Sequence, residues 1–137
     1  MKKTLPQPEE STFTQALFTQ LATRFPEIGD RIQADADRPY VLMNHLAEWL
    51  AGMGNYSPEL IERLARFSHW CEAEPRGGDA ADDPLTILVV GFYECLFESE
   101  RTQALLPRIA SRKTLLENAD YFKAWIGDEN YRRAIEP

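Results

Sequence analysis

Two histidines, two cysteines and two groups of carboxylates are the residues of this chain whose types and spacing could do chemistry. His69-Trp70-Cys71 places an imidazole two residues from a thiol. A cysteine nucleophile needs a base within hydrogen-bond reach, and helix residues two apart point in different directions. An enzyme using Cys71 or His69 therefore depends on groups brought in by tertiary folding, and it ranks last among the readings. Asp79, Asp82 and Asp83 could crowd a cation, but a calcium loop needs ligands at alternate positions and a closing bidentate glutamate. Here Asp-x-x-Asp-Asp runs straight into Pro84, so no metal is expected. Neither histidine belongs to a paired CxxC or HExxH pattern, and the chain lacks a P-loop, a dinucleotide-binding glycine fingerprint and a G-x-S-x-G elbow. No cofactor is expected.

Glu94 and Glu98 are more informative, because they sit in and just after the greasiest stretch, LTILVVGFYECLF. Gly91 lies about one turn earlier. Glycine inside a helix costs roughly 1 kcal/mol relative to alanine, so its presence points to a close backbone approach. On an ideal wheel Gly91, Glu94 and Glu98 form one narrow strip on an otherwise apolar helix. The strip has two uses. Its glutamates can emerge at a rim and pair with arginine, or they can form a small acidic groove that receives a basic side chain of a partner. Hydrolysis by paired carboxylates would need a cleft and substrate-gripping groups that the sequence does not show.

The elements that would position these residues read as helices. Phe13, Leu17 and Leu21 recur at helical spacing, as do Leu42, Leu46, Trp49 and Met53, and Leu60, Leu64, Phe67 and Cys71. Ser57-Pro58 and Asp83-Pro84 share a cap-then-proline grammar that starts helices. Ser99 and Ser111 start later ones, Pro107 interrupts, and Gly127 closes the helix that begins after Ser111. The helices either side of residues 52–57 are expected to pack as an antiparallel hairpin. The expected fold is all-α: a compact bundle or short array of about five to seven helices around a central apolar helix at 84–98. Residues 1–10 read as a flexible arm, 11–127 as a single helical domain and 128–137 as a polar tail.

With 137 residues the chain is long enough to bury a core without metal or disulfide staples. Its net charge of −7 repels phosphate, which disfavours nucleic acid, and favours fast association with basic partners. Tyr131-Arg132-Arg133 is too small a cluster to overturn that. The longest apolar run, Leu85 to Phe92, is too short for a bilayer span, and the N-terminus lacks the apolar run of a signal peptide. The expected location is the cytoplasm.

The segments RFPEIGDRI, HLAEWL, ILVVGFYECLF and ALLPRIASRKTLL resemble a family of small, acidic, all-helical bacterial proteins of unknown function. Phe25-Pro26-Glu27, Trp49, Phe92, Glu94 and Leu96 carry the resemblance, which spans roughly residues 20–126. It departs in the acidic 72–83 loop. It implies a non-enzymatic accessory protein, and some such proteins resemble immunity proteins that neutralise a toxin. The leading expectation is thus a non-catalytic binding protein that covers a basic site on a partner with an acidic face. Glu94 and Glu98 would carry it, with Asp79, Asp82 and Asp83 as a second edge. The alternative is a small-molecule-sensing or regulatory helical domain with an apolar pocket beside Gly91 and the tryptophans.

Overall fold

The computed structural model describes residues 12–135, and among them the chain is all-α with no strand. The expected arm at residues 1–10 lies outside the described residues. Helix α1 (Thr12–Arg24) leads through a 3-10 turn at Pro26–Ile28 into the single turn α2 (Gly29–Ile32) and a further 3-10 turn at Gln33–Asp35. Next come α3 (Pro39–Ala51) and α4 (Pro58–Ala73). The central helix has three parts: α5 (Pro84–Leu88), a π turn at Val89–Tyr93, and α6 (Glu94–Leu96). Around it are α7 (Glu100–Gln103), α8 (Leu106–Ile109), α9 (Arg112–Glu117), α10 (Ala119–Ile126) and α11 (Asp128–Ile135).

Local chemistry fixes the starts of these helices. Ser57, Asp83, Ser99 and Ser111 each accept a hydrogen bond from the backbone N–H three residues on. Each such cap is worth about 1 kcal/mol. Helix ends are closed by side chains from elsewhere. Arg63 donates to the carbonyl of Arg24 at 2.7 Å, Arg101 to that of Ala51 at 2.8 Å, and the Thr102 hydroxyl to that of Leu96 at 2.7 Å. Gly127 closes α10 with φ 87°, a left-handed conformation that suits glycine.

Three expectations change. The α3 and α4 helices do not pair as a close hairpin: α3 packs chiefly on the π turn, and α4 on α8 and α5. The central helix thus separates the helices that sequence proximity would have joined. The helix after Ser111 breaks at Asn118, whose side-chain amide donates to the carbonyl of Thr114 at 2.9 Å. The polar C-terminal stretch is helical through Ile135, with Tyr131 buried and its hydroxyl donating to Leu115 O at 2.7 Å.

The core runs from Leu17 and Phe25 through Leu46 and Phe67 to Phe92 and Phe122, all fully buried. One polar thread crosses it. Glu72 of α4 accepts from the Tyr93 hydroxyl at 3.1 Å and from the backbone N–H of Ser111 at 3.2 Å. A single carboxylate so ties α4, the π turn and the start of α9 together.

The central helix meets α3 at Gly91. A Cβ placed there would lie 2.9 Å from Met43 Cβ and 3.4 Å from a ring carbon of Tyr40. Met43 Cβ is fixed to its own backbone and cannot swing away. Gly91→Ala is therefore expected to lose about 1–3 kcal/mol of stability, read as a lower denaturant midpoint. Gly29, with open space at the same position, serves as the control: Gly29→Ala should gain up to about 1 kcal/mol. Equal effects at the two positions would contradict the close packing.

Candidate functional site

The π turn rearranges the strip that an ideal wheel assigns to Gly91, Glu94 and Glu98. The N–H of Glu94 donates to Val89 O, five residues back rather than four. Within such a turn, residues three apart point to different sides. Gly91 is buried against Met43 and Tyr40, with no room beside it for a ligand. Glu94 emerges half-buried and Glu98 exposed. The anticipated pocket beside Gly91 is filled by α3.

Asn44 of α3 holds the turn. With its amide nitrogen facing the two carbonyls, it donates to Gly91 O at 2.8 Å and to Tyr40 O at 3.2 Å. The Cys95 thiol sits 3.4 Å from the same Gly91 carbonyl. Burial pushes that thiol up, followed by the charges of Glu98, Glu94 and Glu48. The three carboxylates all act on the Cys95 thiol, so Glu48 lies on the same side of the molecule as Glu94 and Glu98. Glu48 comes from α3, and nothing in its sequence context marks it as a neighbour of Glu94.

Glu94 has no ion-pair partner among the described residues, and burial alone raises its carboxyl above the ordinary glutamate value. An unpaired, partly desolvated carboxylate weakens the fold. The expected pairing of this strip with arginine is not seen for either Glu94 or Glu98 among the described residues. The arginines with carboxylate partners meet other acids, such as Arg63 on Glu27 at 2.9 Å and Arg76 on Asp83 at 2.7 Å.

The acidic loop divides. Asp83 is turned inward, its side chain 5% exposed against 65% for its partner Arg76. Two guanidinium nitrogens of Arg76 lie at 2.7 Å from its oxygens. Gly77 N–H donates at 2.8 Å, Thr86 N–H at 3.1 Å and the Thr86 hydroxyl at 2.6 Å. Arg76 first, then the Thr86 hydroxyl and the two N–H groups, hold this carboxyl well below the usual carboxylate range despite burial. Asp83 is thus withdrawn from the surface edge on which the sequence placed it, because its oxygens are already used within the loop. Asp79 and Asp82 remain exposed. Asp79 accepts from Ala81 N–H at 3.0 Å, and the Tyr40 hydroxyl pins the loop to α3 by donating to Ala80 O at 2.6 Å.

Cys71 is fully buried, and burial first, then Glu72, push its thiol well up, away from the nucleophilic thiolate. His69 is exposed, so the two do not share a face of α4. His45 meets Asp35 at 2.9 Å, joining α3 to the turn before it. No group of three or more histidine, cysteine, aspartate or glutamate side chains suited to a metal occurs among the described residues. No helix among them is long and apolar enough to cross a membrane.

Sequence reasoning also missed an apolar feature beside Glu94. Val90 is 38% exposed and Trp125 is 55% exposed. Trp125 leans on Phe97 with ring centroids 6.3 Å apart, and Phe97 packs edge-on against Phe122 at 5.7 Å. The sequence does not distinguish Trp125 from Trp49 and Trp70, and only the packing of α10 shows that this one faces out. The chain matches no family, no curated protein and no solved structure.

The two carboxylates have opposite consequences for stability. The folded value of Asp83 lies below the unfolded value of about 3.9, so its contribution is complete above that pH and is lost as pH falls through the folded value. Asp83→Asn should lower stability by about 2 kcal/mol at neutral pH, with the deficit shrinking in acid. For Glu94 the folded value is the higher one, so its penalty grows as pH rises past the unfolded value of about 4.3. Glu94→Gln should therefore be more stable than the parent at neutral pH and equal to it below that value. Urea midpoints across pH measure both, and a pH-independent difference in either case would contradict the assignment.

Proposed function

We propose that this chain is a non-catalytic binding protein that presents an acidic face to a basic site on another protein. Glu94, Glu98 and Glu48 form the face, and Asp79 and Asp82 form a second edge on the neighbouring loop. The observation that carries the proposal is Glu94, half-buried and without a cation among the described residues. A carboxylate in that condition gains most when a partner's lysine or arginine supplies the missing charge in a desolvated contact.

The rest of the molecule is compatible with this use. A net charge of −7 speeds encounter with a basic surface. Two of the candidate chemical residues are engaged elsewhere: Cys71 lies in the core and Asp83 closes the loop. In the form that the family resemblance implies, the partner is a toxin and the chain acts as its immunity protein.

Affinity capture from native-host extract tests the proposal, with the tagged chain as bait at low and high salt. A stoichiometric basic protein is expected, its binding weakening steeply with salt. The Glu94→Gln/Glu98→Gln double variant should bind it about tenfold more weakly or worse while melting no lower than the parent. Parent-like affinity in that folded variant would remove the acidic face from the account.

A further inference from the structure

The surface next to Glu94 is apolar, and it forms a groove. Tyr121 and Trp125 lie four residues apart on α10, hence on one side of it. Across from them the central helix presents Val90, then Glu94, then Phe97. These are spaced by less than one π turn and about one α turn, so they share a side. Val90 and Tyr121 line a cleft of about 190 Å³ together with Leu85, Thr86, Val89, Asn118 and Arg76, whose guanidinium is held by Asp83 at 2.7 Å. The Tyr121 hydroxyl is buried there without a hydrogen-bond partner among the described residues. At the other end the Phe97 and Trp125 rings form the wall.

We propose that this groove, from Val90 and Tyr121 to Phe97 and Trp125, seats an amphipathic helix of the basic partner, with its apolar face on these residues and a lysine or arginine reaching Glu94. The inference rests on the acidic-face reading and gives that face an apolar floor. Charge complementarity selects the occupant: Arg76 at the cleft is already paired with Asp83 at 2.7 Å, whereas Glu94 and Glu98 on the central helix have no ion-pair partner among the described residues. A second copy of this acidic chain would meet repulsion there. A helix fits better than an extended peptide, because there is no strand among the described residues whose edge such a peptide could join. The exposed Trp125, resting on Phe97 one helical turn from Glu94, is of the residue type most often found at interface hot spots.

The test uses isotope-labelled protein and three short helical peptides: one of leucine and lysine, one with glutamate replacing lysine, and one with serine replacing leucine. The leucine–lysine peptide should move the Trp125 indole N–H and the backbone signals of Val90 and Glu94. Trp125→Ala should weaken it by about tenfold without lowering the melting temperature, and Val90→Lys should weaken it further. Should the serine peptide bind as tightly, the acidic-face reading survives and the groove does not. Should the leucine–glutamate peptide bind as tightly as the leucine–lysine one, both fall. A leucine–lysine peptide that shifts only Asp79 and Asp82, or sedimentation showing a dimer that Trp125→Ala dissolves, would also overturn the proposal.

Discussion

The close approach of Gly91 to Met43 is the constraint on which the surface of this protein depends. No side chain larger than hydrogen fits between the central helix and α3 at that point. Asn44 bridges the two helices by donating to the Gly91 carbonyl, in a segment where the hydrogen-bond ladder has changed from the α to the π pattern. The extra residue in the π turn re-aims everything after it. Gly91 goes into the contact, Glu94 is left half-buried at the edge, and Phe97 turns toward α10. Turns of this kind recur at functional sites because they present side chains that a regular helix would hide.

A second device keeps the central helix starting in the right place. Asp83 gathers Arg76, Gly77 and Thr86 around one carboxylate, so the acidic loop before the helix is tied down rather than free. The two acids thus play opposite parts on the same helix. Asp83 is saturated with donors and stabilises the fold, whereas Glu94 has none among the described residues and weakens it. A residue that lowers stability without a structural return is a common mark of a surface kept for binding.

The fold was readable where local physics decides it. Caps at Ser57, Asp83, Ser99 and Ser111 follow from side chains that can accept a backbone N–H, and each starts a helix as its sequence indicates. Gly91 announced a close approach, and the approach is there. The π turn was not readable, because one inserted residue leaves composition and apolar pattern unchanged while shifting every later position. A regular wheel therefore aligned Gly91 with Glu94, which the structure separates. The break at Asn118 carried no proline or glycine to signal it. Arg76 on Asp83 and Glu48 near Glu94 are products of tertiary packing, and short-range spacing holds no record of them. Nothing in the sequence set Trp125 apart from Trp49 and Trp70, and only the position of α10 turns it outward.

The protonation of Glu94 tests the central claim most directly. In carbon-detected NMR titration of the free protein, its side-chain carboxyl should give up its proton at a higher pH than an ordinary glutamate. On saturation with the leucine–lysine peptide, the midpoint should move down as a cation arrives. A Glu94 carboxyl that titrates at or below the ordinary value in the free protein would mean that it is already solvated or paired, and would contradict the account.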